Sequence, residues 1–353
     1  MYFYFWYGYS FLNRVPRKSK CIMGVIRKYE IKTINDFSTN KGIIWPHCYH
    51  NLAGDEASLK VYSALSISNE KTNDMLGYYL HTINAQQALA AIAKGQSSVR
   101  LSTDLNLSER DFSLSDQGLV LDEDNQLSIA KLKKIAKKTQ RIYLCRDGDM
   151  VPLEDRTAGY YKLVPTAGAP LLEISGVKMH ISKGTDPFAS ASEMAQQAVR
   201  KGDKVLDCCS GLGYAAIAAH RLGASEVLSI ELSPEVMGLR AQNPWSDDLT
   251  QGGIVQRQGS SFELIGSMPT SSFDSVIHDP PRFSLAGELY SEAFYREIFR
   301  VLRRDGRLFH YTGNPHVIKK GSSFVDGVIR RLNAAGFRHV EKVEHLMGVN
   351  AQK

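Results

Sequence analysis

The sequence predicts a doubly wound, parallel α/β sheet preceded by a small α+β domain, and three observations support this fold class. From about residue 187 onward, apolar strands alternate with amphipathic helices, as in a parallel sheet that is covered on both faces. Between residues 76 and 182 the apolar segments are shorter and are separated by turn residues. A chain of 353 residues is also long enough for more than one core.

The composition is that of an ordinary globular protein, with 43% hydrophobic and 23% charged residues. The net charge of +6 is compatible with a nucleic-acid partner, although a modest charge mainly reports solubility. No apolar run reaches the roughly 18 residues of a membrane-spanning helix. Five scattered cysteines without a CxxC pair disfavour a disulfide framework and a structural zinc, and they favour a cytoplasmic location.

We expect residues 1–75 to be a poorly ordered N-terminal extension, because they show little periodicity and read as a loop between residues 37 and 58. The aromatic segment MYFYFWYGYSFL precedes a basic cluster, which is the reverse of the order in a signal peptide. Two interpretations stay open. The segment is either an interfacial anchor or the upstream extension of a gene that starts later, at Met23 or Met75.

Residues 76–182 predict the small α+β domain. One helix is expected around residues 74–94, ending at Gly95, and a basic helix over LSIAKLKKIAKK. The dipeptide Asp147-Gly148 marks a hairpin turn. The strand-like segments are SVRLST, DFSLS, QGLVLD, RIYLCRDGDM, YYKLVP and LLEISGVKMHI. The lysines of the basic helix form either an RNA-facing patch or a solvated helix face.

Residues 183–353 predict six strands with helices between them, which is the doubly wound arrangement. The strands are KVLDCC, EVLSIEL, IVQRQG, SFDSVIHD, RLFHYTG and FRHVEKVEHL. The helices are residues 190–200, YAAIAAHRLG, a stretch near 234–242, SEAFYREIFRVL and VDGVIRRLNAAG.

A glycine-containing loop, DCCSGLGY, joins the first of these strands to its helix. Gly211 and Gly213 allow a tight turn and a close approach of the backbone to a ligand, which also suits a dinucleotide fingerprint. Asp207 favours a different ligand, because a carboxylate at the strand end suits a ligand that carries an ammonium group, such as S-adenosylmethionine. Glu231 ends the next strand, where its carboxylate can accept both ribose hydroxyls.

The segment HDPPRF follows the fourth strand. Two prolines stiffen it and leave carbonyl groups free to accept hydrogen bonds. Methyl transfer requires an acceptor lone pair in line with the methyl group, and the rigid segment Asp279-Pro280-Pro281 can orient an N–H acceptor for it. His310 and Tyr311 end the fifth strand and are candidates for the border of the acceptor pocket.

DCCSGLG, IEL and HDPPRF resemble motifs I, II and IV of the class I S-adenosylmethionine-dependent methyltransferases, over roughly residues 183–346. The resemblance implies a Rossmann-like methyltransferase sheet and a set of cofactor-binding residues. Asp207, Ser210, Gly211 and Gly213 would lie at the methionine portion, and Glu231 at the ribose. At the adenine, where the family often has an acidic residue, a serine hydroxyl such as that of Ser260 or a backbone amide would have to substitute. Asp186 is a further, less specific candidate for closing over the methionine end.

DPPRF is more similar to RNA methyltransferases with DPP-Lys/Arg-Phe than to amino methyltransferases with an aromatic residue directly after the prolines. Neither 278–284 nor 309–315 contains a cysteine, which disfavours methylation of a pyrimidine carbon. The expected acceptor is therefore a nitrogen or oxygen atom of a macromolecule, with RNA ahead of protein. From about residue 76 to its end, the chain also resembles an uncharacterised archaeal-type family of predicted methyltransferases.

Three other functions stay open from the sequence. An aminopropyltransferase would use decarboxylated S-adenosylmethionine, a dinucleotide oxidoreductase would use the same glycine loop, and a non-catalytic module would only bind the cofactor. No cluster of acidic residues and histidines predicts a metal.

Overall fold

The computed structural model describes residues 77–181, 184–313 and 321–353, and the first of these stretches folds into three small antiparallel sheets. Its strands are β1 (Tyr78–Leu80), β2 (Ser98–Leu101), β3 (Arg110–Ser115), β4 (Gly118–Val120), β5 (Gln126–Ser128), β6 (Tyr143–Arg146), β7 (Asp149–Pro152), β8 (Glu154–Asp155), β9 (Tyr161–Val164), β10 (Leu171–Ile174) and β11 (Val177–Lys178). Its helices are α1 (Thr82–Ala93) and α2 (Ile129–Ala136). The sheet orders are β1-β6-β7, β2-β3-β4-β5 and β11-β10-β9-β8.

Helix α1 begins later than the predicted helix, because β1 occupies the residues before it and pairs with β6. His81 caps α1 by accepting a hydrogen bond from the amide of Ile83, and Asn84 completes a capping box. Helix α2 packs through Leu132 and Ile135, as its apolar spacing predicts. Four of the five lysines in and after α2 are exposed, so their role as an RNA-facing patch stays a prediction.

The rest of the described chain forms one seven-stranded sheet with helices. Its helices are α3 (Pro187–Ala198), α4 (Tyr214–Arg221), α5 (Pro234–Arg240), α6 (Ser261–Leu264), α7 (Glu292–Val301) and α8 (Gly321–Ala335). Its strands are β12 (Lys204–Cys208), β13 (Glu226–Glu231), β14 (Ile254–Gln258), β15 (Phe273–His278), β16 (Leu302–Tyr311), β17 (Arg338–Val343) and β18 (Gly348–Gln352). The order is β14-β13-β12-β15-β16-β18-β17, and the first five strands are parallel.

Helices cover both faces of this sheet, which confirms the predicted doubly wound fold. Successive residues of a strand point to opposite faces. Val205 of β12 belongs to the same buried cluster as Ile217 of α4, whereas its neighbour Leu206 belongs to the cluster that contains Ile298 of α7 and Val328 of α8. Burial on both faces explains why neighbouring residues of the central strands are both apolar, as in Val205-Leu206, Val227-Leu228 and Val276-Ile277.

The prediction of six strands was wrong by one, because β18 lies between β16 and β17 and is antiparallel to both. Only Val349 and Ala351 of this terminal strand enter the core, so its alternation is too short to distinguish it from a loop. The predicted helix 190–200 begins earlier, at Pro187, because Asp186 caps it.

The described residues belong to one compact unit, although the small sheets and the large sheet use separate stretches of chain. Direct hydrogen bonds join the two parts. Tyr79 donates to the carbonyl of Gln242 at 2.8 Å, and Trp245 donates to the carbonyl of Leu105 at 2.7 Å. The domain boundary between residues 182 and 183 therefore stays a prediction, and the expectation for residues 1–75 lies outside the described residues. None of the described helices has the length and apolar character needed to cross a membrane.

Candidate active site

The loop after β12 adopts a left-handed backbone at three positions. The φ angles are 67° at Cys209, 54° at Gly211 and 83° at Gly213. A left-handed conformation is costly for a residue with a Cβ, so Gly211 and Gly213 adopt it at a lower cost than Cys209 does. Gly213 is the N-cap residue directly before α4, and the amide of Ser210 donates to the carbonyl of Ile230 at 2.8 Å. The loop therefore lies against the end of β13, the next strand of the sheet.

Gly211 and Gly213 are expected to respond differently to replacement by alanine. A Cβ at Gly213 would lie 2.3 Å from Leu249 Cδ1, whereas a Cβ at Gly211 would meet no atom within 4 Å. Gly213→Ala should therefore lower the free energy of unfolding by about 2–4 kcal/mol, from backbone strain and overpacking together. Gly211→Ala should cost about 1 kcal/mol, from backbone strain alone. Equal losses in denaturant titrations of the two variants would contradict this account of the loop.

Asp207 is buried at the end of β12, with 1% of its surface exposed. Its Oδ2 accepts a hydrogen bond from Ser229 at 3.3 Å, while its Oδ1 is buried without a partner. Burial, followed by the negative charge of Asp279, raises the pKa of the Asp207 carboxyl to about 7. A buried acceptor without a partner is costly, and a cationic ligand would satisfy it.

Glu231 ends β13 and connects its strand to the glycine loop. Its Oε2 accepts from the amide of Gly211 at 2.8 Å, and its Oε1 accepts from the amide of Ser233 at 2.9 Å. Each carboxylate oxygen retains a second lone pair for a ligand. The side chain of Leu232, directly after it, is 65% exposed.

Arg240 of α5 is part of the site, and the sequence analysis missed it. Only 3% of its surface is exposed, and its Nη1 donates to Ser210 Oγ at 2.8 Å and to the carbonyl of Gly211 at 3.3 Å. The spacing of the helix residues could have indicated its burial, because Arg240 follows the apolar Val236 by four residues. An arginine therefore occupies the buried face of the helix.

Asp279 follows β15, beside β12 in the sheet. It is half-buried, and burial raises the pKa of its carboxyl to about 7. Pro280 is buried, and the carbonyl of Pro281 accepts a hydrogen bond from the hydroxyl of Tyr290 at 3.0 Å. Tyr311 is half-buried close to Asp279, whose charge adds to burial in raising the pKa of the phenol.

His310 is fully buried against His278, with ring centroids 4.5 Å apart. Its Nδ1 faces the carbonyl of His278 at 3.2 Å and must donate, so its Nε2 accepts from the hydroxyl of Tyr295 at 3.0 Å. Burial lowers the pKa of both imidazoles, that of His278 to about 4. Both ring nitrogens of His310 are occupied, one of them by the carbonyl of His278 directly before Asp279, so its hydrogen bonds favour packing over contact with an acceptor.

Two other candidates lie at helix N-termini. Asp186 caps α3, accepting from the amide of Ala189 at 2.9 Å and from the amide of Ala169 at 2.6 Å. Ser260 caps α6, beside the partly exposed Phe262. The structure thus joins Asp207, Ser210, Gly211 and Glu231 around one loop, with Asp279 electrostatically coupled to Asp207. Asp186 and Ser260 are held at separate helix ends.

Comparison of the chain with known proteins shows the family to which it belongs. A family described as a methyltransferase domain matches residues 206–310, from Leu206 in β12 to His310 in β16. An uncharacterised protein of Methanocaldococcus jannaschii is 42% identical over 278 residues, which are 78% of this chain and 96% of that protein. The chain belongs to the same family as this archaeal protein. It is an S-adenosylmethionine-dependent methyltransferase.

Two curated relatives with named acceptors are more distant. A ribosomal protein L11 methyltransferase of Shouchella clausii is 28% identical over 178 residues, 50% of this chain and 51% of that protein. A ribosomal RNA large subunit methyltransferase I of Aeromonas hydrophila is 28% identical over 174 residues, 45% of this chain and 44% of that protein. The chain spans about half the length of each.

The loop between β12 and α4 fits this cofactor. The unpartnered Oδ1 of Asp207 is a buried acceptor, as an ammonium group requires. The space beside Gly211 is free of protein atoms, so a ligand can approach the backbone there. No group of histidine, cysteine and acidic side chains that could hold a metal ion occurs within the described ranges.

Proposed function

We propose that this methyltransferase modifies a nitrogen or oxygen atom of RNA, with the cofactor held along the ends of β12, β13 and β14. In this proposal Asp207 accepts a hydrogen bond from the ammonium group and Ser210 and Glu231 lie at the methionine portion and the ribose. Ser260 contacts the adenine. Asp186 lies at the methionine end and also fixes the start of α3.

The observation that carries the proposal is the composition of the segment after β15. A half-buried carboxylate, Asp279, is followed by two prolines and then by the exposed side chains of Arg282 and Phe283. Phe283 is 52% exposed and packs edge-on against Tyr290, with ring centroids 5.6 Å apart. An exposed aromatic ring can stack on a base, and an exposed guanidinium can contact a phosphate. Both lie within four residues of the carboxylate that is to hold the acceptor.

This combination favours RNA over protein as the acceptor. A protein acceptor needs neither a stacking surface nor a phosphate contact, and the net charge of +6 is compatible with a polyanionic partner. The names of the two distant relatives include one RNA and one protein acceptor, so they support a macromolecular acceptor without choosing between the two.

The chain's own residues would position the acceptor and manage its proton. When bound, S-adenosylmethionine supplies an electrophilic methyl group on a sulfonium. Asp279 accepts a hydrogen bond from the N–H or O–H of the acceptor, and a carboxyl pKa of about 7 suits it to take that proton at neutral pH. Tyr290 holds the carbonyl of Pro281, and Tyr311 lies beside the carboxylate. The hydrogen bond from Tyr290 fixes the backbone two residues after Asp279.

The proposal is tested by incubating the protein with methyl-labelled S-adenosylmethionine and RNA and protein fractions from cells that lack the gene. We expect label in RNA, removed by ribonuclease and resistant to protease. Arg282→Ala and Phe283→Ala should lower incorporation, while Glu288→Gln, an exposed carboxylate on the same segment, should not. Label that protease alone removes would overturn the choice of RNA.

A further inference from the structure

One of the two terminal nitrogens of the Arg240 guanidinium has hydrogen-bond partners in the protein, and the other has none. Its Nη1 has two partners on the glycine loop, the hydroxyl of Ser210 and the carbonyl of Gly211. Its Nη2 is buried and has no hydrogen-bond partner. An unsatisfied buried donor on a charged group is unusual and needs an explanation, such as a ligand that is bound during function.

Asp207, directly before the glycine loop, has a buried acceptor that also lacks a hydrogen-bond partner. This atom is Oδ1, so the two unpaired atoms do not satisfy each other. The charges are nevertheless close enough to interact, because Arg240 lowers the pKa of Asp207 against the effect of burial. One cationic donor and one anionic acceptor thus remain free around the turn at Ser210 and Gly211. Their chemistry complements a zwitterion with one carboxylate and one ammonium group.

We propose that Arg240 Nη2 donates to the carboxylate of the cofactor's methionine portion and thereby selects donors that carry this carboxylate. The inference rests on the placement of the ammonium group at Asp207 in the proposed function. Decarboxylated S-adenosylmethionine retains the ammonium group but would leave Nη2 buried and unpaired. Methylthioadenosine lacks both groups and should be indifferent to Arg240. The residue therefore distinguishes a methyltransferase cofactor from an aminopropyl donor.

A purely structural role makes a different prediction. If Arg240 only braces the loop through Nη1, its loss would disturb the loop for every ligand that binds there. The affinities for S-adenosylmethionine, its decarboxylated form and methylthioadenosine would then fall together. Only recognition of the carboxylate changes the ratio of the affinities for S-adenosylmethionine and its decarboxylated form while the affinity for methylthioadenosine stays the same.

The test measures dissociation constants by calorimetry for these three ligands with the wild type, Arg240→Lys and Arg240→Met. We expect the wild type to prefer S-adenosylmethionine over its decarboxylated form by about 10- to 100-fold. In Arg240→Met this preference should fall to within about threefold, with methylthioadenosine binding unchanged. Arg304→Met, which removes a side chain that is 94% exposed, is the matched control and should keep the wild-type ratio.

Arg240→Lys keeps a cation at the loop and serves if Arg240→Met does not fold. A lysine cannot hold the loop and a carboxylate with one planar fork, so we expect it to retain only part of the preference. A preference unchanged in both variants, or an equal loss for all three ligands, would overturn the proposal. The measurement needs no acceptor, so an incorrect assignment to RNA leaves it intact, whereas a wild type that does not bind S-adenosylmethionine overturns the placement of the cofactor itself.

Discussion

Replacing Asp279 with asparagine is expected to lower the rate of methyl transfer by about 10²- to 10³-fold while the dissociation constant for S-adenosylmethionine stays within a few-fold of the wild type. Asparagine has nearly the same shape and can still accept a hydrogen bond at one oxygen. It cannot take a proton from the acceptor, and it carries no charge to stabilise the cation that forms as the methyl group arrives. The loss should therefore appear in kcat rather than in cofactor binding.

The pH dependence of the same reaction separates this role from simple packing. Burial raises the pKa of Asp279 to about 7, so a growing share of the carboxyl is ionised as the pH rises from 6 to 8. At saturating cofactor the wild-type rate should increase over this window, and Asp279→Asn should show a lower rate without that increase. Glu288→Gln keeps the wild-type profile in this account. A pH profile that is the same in wild type and Asp279→Asn would contradict the role of the carboxylate.

The substitution at Asp279 also has an expected consequence at its neighbour. The negative charge of Asp279 is the second cause of the raised pKa of Asp207, after burial. Asparagine at 279 removes that repulsion, so the pKa of Asp207 should fall. Cofactor binding at pH 6, which needs Asp207 ionised, should then be slightly tighter in the variant than in the wild type. A variant with lower turnover and equal or better cofactor binding is hard to explain by misfolding.

The sequence predicted the parallel part of the sheet because burial on both faces leaves a strong local signal. Strands β12, β13 and β15 each contain adjacent apolar residues, and they carry Asp207, Glu231 and His278 at or next to their carboxyl ends. The ends of parallel strands meet at one edge of the sheet, so polar residues at those ends could be assigned to one site before any coordinates were known. Strand β18 gave no comparable signal, because its place between β16 and β17 depends on pairing with strands that flank it in space.

The residues that the sequence could not assign depend on contacts between distant positions. Arg240 reaches Ser210, which lies 30 residues earlier in the chain, and nothing in the local pattern of α5 indicates that partner. His310 looked like a pocket residue because it ends a strand. Its ring nitrogens are used by Tyr295 on α7 and by the backbone of His278 on the neighbouring strand, and only the packed structure brings these together. The spacing of residues predicts exposure or burial, whereas hydrogen-bond partners require the fold.

Asp207→Asn is expected to stabilise the cofactor-free protein at pH 8 and to abolish cofactor binding. The pKa of Asp207 is raised from 3.8 to about 7 in the folded protein. Between these two pH values the folded state holds a proton that the unfolded chain has released, so stability falls as the pH rises. The stabilisation of the folded state by the protonated Asp207 carboxyl is fully present below about pH 4 and is lost above about pH 7. A shift of this size corresponds to about 4 kcal/mol, and we take this value as the upper limit of the gain in Asp207→Asn.

The matched control lies four residues earlier, before the opposite end of the same strand. Asp203 is also buried, but its Oδ2 accepts from Arg307 at 2.6 Å and from Ser275 at 3.1 Å. Asp203→Asn removes half of an ion pair and should lower stability by about 1–3 kcal/mol without changing cofactor affinity. Denaturant titrations at pH 5 and pH 8, with calorimetry of cofactor binding, measure both effects. If both variants shift stability in the same direction, the unpaired carboxylate of Asp207 does not destabilise the cofactor-free protein. If Asp207→Asn is more stable and Asp203→Asn is less stable, an unpaired buried carboxylate lowers stability at the site that binds a cation. The paired carboxylate of Asp203 then raises stability at a site that binds none.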